Sequence, residues 1–200
     1  ESIEANLDNL FGAYLFSVYE FDGNDIAAAK TRLKQFPAAV QAHPILQRIA
    51  EKVAATENTE IGKPYMDLTL PDAAGEPVAL SGIVGKGRWV LLDFWATWCA
   101  PCCREIPHLR EAYAACKSKG LEIYGVSLDN DAAKWRTFVA DNDMPWINVL
   151  GVNADKRSDA AAMYGISSIP ANFLISPKGI IVARDLRGEN IKARLEEAMR

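Results

Sequence analysis

Long apolar runs are missing from this chain of 200 residues: no stretch of about 18 apolar residues occurs, so nothing in it is expected to span a bilayer. Basic runs are missing too. No string of Lys and Arg exceeds two residues and the formal charge is -4, which sets aside nucleic-acid and anionic-membrane surfaces. Histidine is confined to His43 and His108. Four cysteines are too few for a disulfide scaffold. There is no internal repeat and no low-complexity segment. Residues 1–20 hold Glu1, Glu4 and Asp8 but no Lys or Arg, unlike the basic start of a signal peptide, and the chain does not open on methionine. The expectation is a processed or trimmed form whose address has been removed.

What is present, 50% apolar and 24% charged residues, suits one domain of ordinary size with a smaller appendage. Over residues 1–57 the apolar period is helical. Leu7, Leu10, Phe11, Tyr14, Leu15 and Val18 recur at spacings of three and four, as do Ile26, Ala29, Leu33 and Phe36, with Asn24 or Asp25 as N-cap and a third helix from about Pro44 to Ala55. These stripes must cover something, either the following domain or one outside this chain.

From 58 onward the period shifts toward two. "YMDLTLPDAAGEPVAL" reads as two short strands around a Gly-containing turn, and "RWVLLDFW" as a strand buried on both faces, broken by the single acid Asp93. A helix over about 99–118, a strand "LEIYGVSL", a helix from Asp131, a strand "INVL", a short helix near "SDAAAMYG", strands "ANFLIS" and "IIVARD", and a last helix from about Glu189 follow. This order gives an α/β domain over 58–200, a mixed sheet with helices on both faces, preceded by a small all-helical segment over 1–57.

Three cysteines crowd into "WCAPCCRE", where that buried strand ends and a helix begins. First-turn N–H groups have no intrahelical partner and the helix dipole is positive there, so Cys99 is favoured as thiolate and is the expected nucleophile. Cys102 lies on the same helical face one turn on, in reach of a disulfide to Cys99, and is the expected resolving thiol. Ala100 and Pro101 suit a first helical turn. A zinc site would need about four ligands, and a second C-x-x-C or Cys/His pair is missing, so no metal is assigned. Cys103, about 100° around the helix, reads as a small apolar residue packed under the sheet; a Cys99–Cys103 pairing, the spacing of some copper-delivery proteins, is the alternative, though no histidine follows His108 to complete a copper site. Cys116, about 20 Å further along the helix, reads as inert.

"VLLDFWATWCAPC" resembles the active-site strand and turn of the thioredoxin superfamily, especially the TlpA-like thiol-disulfide oxidoreductases of the bacterial cell envelope. Pro107 falls at that family's helix-kinking proline, and "SSIPANFLI" resembles its cis-proline loop, with Pro170 after Ile169. The likeness extends over about 60–200, through "GKPYMDLTLPDAAGEPVALSGIVGKG" and "DLRGE", and the segment 1–57 resembles the stalk of larger members that carry a further domain in front. It implies a thioredoxin-like fold and thiol-disulfide exchange with disulfide-bearing or dithiol proteins, without a cofactor. It implies also that Asp93, buried six residues before Cys99, passes protons to and from Cys102; that Trp98 shields the disulfide beside a protein-binding surface; and that the Ile169 backbone next to Pro170 pairs with an extended substrate. Trp95 reads equally as core, and Arg104, Glu105 and His108 as solvated helix residues. Reduction of periplasmic or other envelope proteins, fed by a membrane electron donor and with apocytochrome thiols among the clients, is the implied direction. The Ala100-Pro101 dipeptide differs from the Gly-Pro of thioredoxin and leaves that direction open. A peroxiredoxin is the enzymatic alternative, but Ala96 occupies the place of its threonine, three before the cysteine, and Thr97 is one off. A copper carrier using Cys99 and Cys103 is the non-enzymatic one.

Overall fold

The computed structural model describes residues 2–23 and 25–200, which form two compact units, one running through Asn58 and one from Thr59 to Arg200. Among the described residues no helix is long and apolar enough to cross a membrane.

The first unit is helical. Asn9 caps α1 (Leu10–Leu15), its side chain accepting the N–H groups of Phe11 and Gly12, and the helix runs on into a π-helical turn over Phe16–Glu20. Asp25 caps α2 (Ile26–Leu33), whereas Asn24, the other expected cap, lies outside the described residues. Two expectations are corrected. A short extra helix, α3 (Ala38–Gln41), precedes α4, and α4 extends over Pro44–Asn58. The face of α1 that packs is not the large-residue stripe: Ala13 and Phe16 enter a core with Ala29, Leu33, Phe36, Leu46, Ile49 and Val53, whereas Leu10, Phe11, Tyr14 and Val18 are 43–52% exposed. On the same turn, Gly12 lets the Asn6 carbonyl close in on the helix, where a Cβ would run into it.

In the second unit β1 (Thr69–Pro71) and β2 (Pro77–Ala79) form an antiparallel hairpin. Asp72 closes its turn by accepting the N–H groups of Ala74 and Glu76. There follow β3 (Trp89–Trp95), α5 (Ala100–Cys116), β4 (Leu121–Ser127), α6 (Ala132–Asp141), β5 (Ile147–Leu150), α7 (Asp159–Met163), β6 (Ala171–Ile175), β7 (Ile181–Arg184) and α8 (Asn190–Ala198). The sheet order is β5-β4-β3-β6-β7; β3, β4 and β5 run parallel, and β6 is antiparallel to both β3 and β7.

The central strand explains its own composition. Leu91 and Trp95 face a core built with Ile106, Leu109 and Ala112 of α5, Trp135 of α6 and Leu195 of α8, while Val90, Leu92 and Phe94 face a second core with Leu80, Tyr124, Tyr164 and Phe173. Both faces of β3 are dry, so its sequence is nearly continuously apolar. The mixed sheet is covered on both faces, and the turn from β3 into α5 emerges at the end of the central strands, where the loop before β6 also ends.

Candidate active site

Residues 96–98 turn the chain out of β3, and Cys99 becomes the N-cap of α5 with Pro101 in the first helical turn. Cys99 and Cys102 are joined by a disulfide, their Cα atoms 5.2 Å apart. The Cys99 sulfur accepts the Cys102 N–H at 3.2 Å and lies 3.7 Å from the Ile169 carbonyl oxygen. Both cysteines are buried, and the Ile169–Pro170 peptide bond is cis. Beside the pair lies a groove of about 640 Å³, lined by Trp98, Ala100, Pro101, Leu128, Ile166 and residues 167–169. Trp98 is 61% exposed at its rim. Six of the eight residues singled out from the sequence, Trp98, Cys99, Ala100, Pro101, Cys102 and Ile169, thus converge on one spot, with Pro170 next to them.

Asp93 lies inside, paired with Asn172 in the β3–β6 register. Burial pushes its carboxyl up to about 7 and the negative charge of Glu105 adds to this, while a hydrogen bond from Asn172 and the positive charge of Arg187 work the other way. Asn172 is pinned to Leu186 by two hydrogen bonds, one in each direction. Arg187 donates to the carbonyl of Pro170 and, at 2.8 Å, to that of Leu186. The segment "DLRGE" is thereby tied to the proline loop.

Glu105 is not the solvated residue the sequence suggests. It is half-buried and accepts the Gly188 N–H at 2.7 Å, because it lies one turn beyond Cys102 on the inward side of α5. Cys103 also departs from expectation: it is half-buried rather than packed under the sheet, and its thiol donates to the carbonyl of Thr97 at 3.6 Å. Its rotation from Cys102 swings it to the flank of the turn, away from the core. Cys116 is fully buried in that core, and burial pushes its thiol up. Trp95 is core, its ring centroid 5.6 Å from that of Phe138 with the two planes tilted.

A second buried acid escaped the sequence reading. Asp129, 2% exposed, accepts the Thr97 N–H at 2.9 Å, the Thr97 hydroxyl at 2.6 Å and the Ser127 hydroxyl at 2.7 Å. Its signal was an acid closing the apolar run "IYGVSLD". Among the described residues no three His, Cys, Asp or Glu come together as metal ligands.

Residues 61–184 match the model of the AhpC/TSA family. Thiol-disulfide oxidoreductase ResA of Bacillus thuringiensis subsp. konkukian is 34% identical over 144 residues, covering 72% of this chain and 79% of that protein. Among solved structures, the thioredoxin domain of a thiol-disulfide oxidoreductase from Bacteroides vulgatus superposes with a TM-score of 0.65 at 34% identity, over 70% of this chain and 99% of that one. A thiol:disulfide interchange protein from a Bacteroides species gives 0.63 at 34% identity, over 70% and 90%. The family match, the 34% identities and the shared fold agree with the disulfide at the head of α5: this chain belongs to the AhpC/TSA family and is, within it, a TlpA-like thiol-disulfide oxidoreductase of thioredoxin fold.

Proposed function

We propose that this oxidoreductase acts as a reductant of protein disulfides in the bacterial envelope, with Cys99 as nucleophile and Cys102 as resolving thiol. The observation that carries the reading is the seat of the Cys99 sulfur: at a helix N-cap, accepting the Cys102 N–H, and 3.7 Å from the backbone carbonyl of Ile169. When the pair is reduced, the same N–H and the helix dipole favour the Cys99 thiolate. The thiolate attacks one sulfur of a client disulfide, whose S–S bond breaks with the client's other sulfur leaving as a thiolate, and a mixed disulfide with Cys99 forms. Cys102 then gives up its proton, to which the raised Asp93 carboxyl is suited as acceptor, and attacks the Cys99 sulfur; the bond from Cys99 to the client breaks and the client sulfur in it leaves with the electron pair.

The client enters as an extended segment along residues 167–169, adding to the loop as a strand does, with its side chains against Trp98, Ala100 and Pro101. Regeneration requires a dithiol donor, and a membrane protein fits the envelope setting that the TlpA-like resemblance supports. Apocytochrome thiols are one client class of that setting. The segment 1–57 serves in this reading as a stalk.

The test is the equilibrium reduction potential of the pair, titrated in dithiothreitol buffers and followed by Trp98 fluorescence, with Cys99→Ser as control. Across this fold potentials run from about -270 to about -120 mV, a span of roughly 7 kcal/mol in disulfide stability. A value near the lower end supports the reductant, and one near the upper end makes the protein a disulfide donor. Absence of a two-electron transition removes the reading altogether.

A further inference from the structure

Two thiols stand side by side behind the nucleophile. Once Cys99 holds a client in mixed disulfide, either Cys102 or Cys103 could in principle attack its sulfur, since residues three and four ahead of a helix N-cap are both close to it. The Cys99–client bond would break, a Cys99–Cys102 or Cys99–Cys103 bond would form, the attacking thiol would lose its proton, and the client sulfur would leave with the electron pair. The Cys99–Cys102 disulfide is the one present.

What separates the two thiols is a buried polar cluster on the far side of the turn. Asp129 holds Thr97 by both its N–H and its hydroxyl, and Ser127 closes the set, its hydroxyl donating to Asp129 at 2.7 Å and accepting the Asp129 N–H at 3.1 Å. The Leu128 N–H donates to the Trp95 carbonyl at 2.8 Å, so residues 95–97 are stitched to 127–129 along their length. With the Thr97 N–H fixed on Asp129, the Ala96 carbonyl of the same peptide plane points the opposite way, toward α5, where it accepts the Cys103 thiol at 4.0 Å, and the Thr97 carbonyl next to it accepts the same thiol at 3.6 Å. Cys103 is thus directed at backbone oxygens. Burial and the Asp129 carboxylate both push its thiol up, against a smaller opposing effect of its own backbone hydrogen bond and of Arg104.

We propose that Asp129, acting through Thr97, is a positioning residue that withholds Cys103 from the exchange and so makes Cys102 the sole resolving thiol. This rests on the roles assigned above to Cys99 and Cys102. It gives the third cysteine of "CAPCC" a defined state, a thiol held by hydrogen bonds to a clamped turn, and gives a buried acid outside the disulfide a task in the fidelity of the reaction.

The experiment removes Cys102 and watches whether Cys103 takes its place. Reduced Cys102→Ser protein is treated with oxidised glutathione, and the adduct on Cys99 and any Cys99–Cys103 disulfide are followed by mass spectrometry after acid quenching. The glutathione adduct is expected to persist in Cys102→Ser and to collapse to Cys99–Cys103 faster in Cys102→Ser/Asp129→Asn, where the carboxylate that pushes the Cys103 thiol up is gone and its hold on Thr97 is weakened. Thr97→Val, which removes one of the clamp's donors without touching the carboxylate, is expected to fall between them, and Thr97→Ser, which keeps both donors, to behave as the parent. Equal adduct lifetimes with and without Asp129, or rapid closure onto Cys103 in Cys102→Ser alone, would overturn the proposal while leaving Cys99 as nucleophile. Failure of Cys99 to take up glutathione at all would overturn the exchange reading and this proposal together.

Discussion

Asp93 on β3 and Asn172 on β6 face each other across the antiparallel pair, both buried, and only the aspartate can ionise. Asn172 Nδ2 donates to the Leu186 carbonyl and its Oδ1 accepts the Leu186 N–H, so the strand pair and the "DLRGE" segment are joined beside the buried carboxyl. A carboxyl so placed is a store for a proton near neutral pH.

That store sets a stability prediction. The folded value of Asp93 is raised from 3.8 to about 7, so the neutral form is the one the fold accepts. Its contribution is fully present below about pH 4 and is lost as pH rises through about 7. Asparagine mimics the neutral acid. Oxidised Asp93→Asn protein should therefore gain on the parent by roughly 2–3 kcal/mol in unfolding free energy between pH 5 and pH 8. Urea unfolding at the two pH values checks this, and a difference that does not change with pH would show that Asp93 ionises freely in the fold. The same variant should exchange disulfides about a hundredfold more slowly, the lower range for loss of an acid–base group.

The strand that carries Asp93 was legible because burial on both faces leaves few residues other than apolar ones, and the start of α5 because cysteine, proline and a strand end coincide. The first helix was legible as a helix but its buried face was not: Leu10, Tyr14 and Val18 carry the same helical period as Ala13 and Phe16, and it is the latter that pack with Ala29, Leu33 and Phe36. In the site, the Cys99–Cys102 pairing follows from local spacing, whereas Glu105, Asp129 and Arg187 find their partners 83, 32 and 17 positions away. A charged residue whose partner is distant reads as solvated until the fold brings the two together.

Peroxide chemistry gives a clean contrast. The position three before Cys99 is Ala96, fully buried and without a hydroxyl, and the Thr97 hydroxyl next to it is committed to Asp129 at 2.6 Å. With dithiothreitol as reductant, consumption of hydrogen peroxide by the wild-type protein should not exceed that of Cys99→Ser, while insulin reduction should depend on Cys99 entirely. A peroxidase rate lost in Cys99→Ser would move the protein to the other branch of its family.

Gly125 faces Asp93 in the β3–β4 pairing and Asn148 in the β4–β5 pairing. A Cβ there would stand 3.3 Å from Asn148 Oδ1, 3.3 Å from Trp146 Nε1 and 3.4 Å from Trp95 Nε1, and both indoles are buried. Close contact on three sides leaves no easy direction for relief. Gly125→Ala should lower the unfolding free energy by about 1–3 kcal/mol, the usual range for overpacking, with an unchanged denaturant slope. A neutral result would mean that the Trp95 and Trp146 rings can part.

The two charged residues flanking Asp93 should move it in opposite directions. Glu105 holds the carboxyl up by repulsion, and Arg187 draws it down by attraction. Glu105→Gln keeps an oxygen for the Gly188 N–H and removes only the charge, so the Asp93 midpoint should fall below that of the parent; Arg187→Met should raise it. Carboxyl carbon NMR of the oxidised protein reads these midpoints directly. Because Arg187 also donates to the Pro170 carbonyl, its loss should in addition slow exchange with a protein disulfide more than exchange with glutathione, since only the protein needs the loop backbone as a partner. Midpoints that move in neither variant would show that burial alone governs Asp93, and that the "DLRGE" segment acts as packing rather than as a charge set against the proton store.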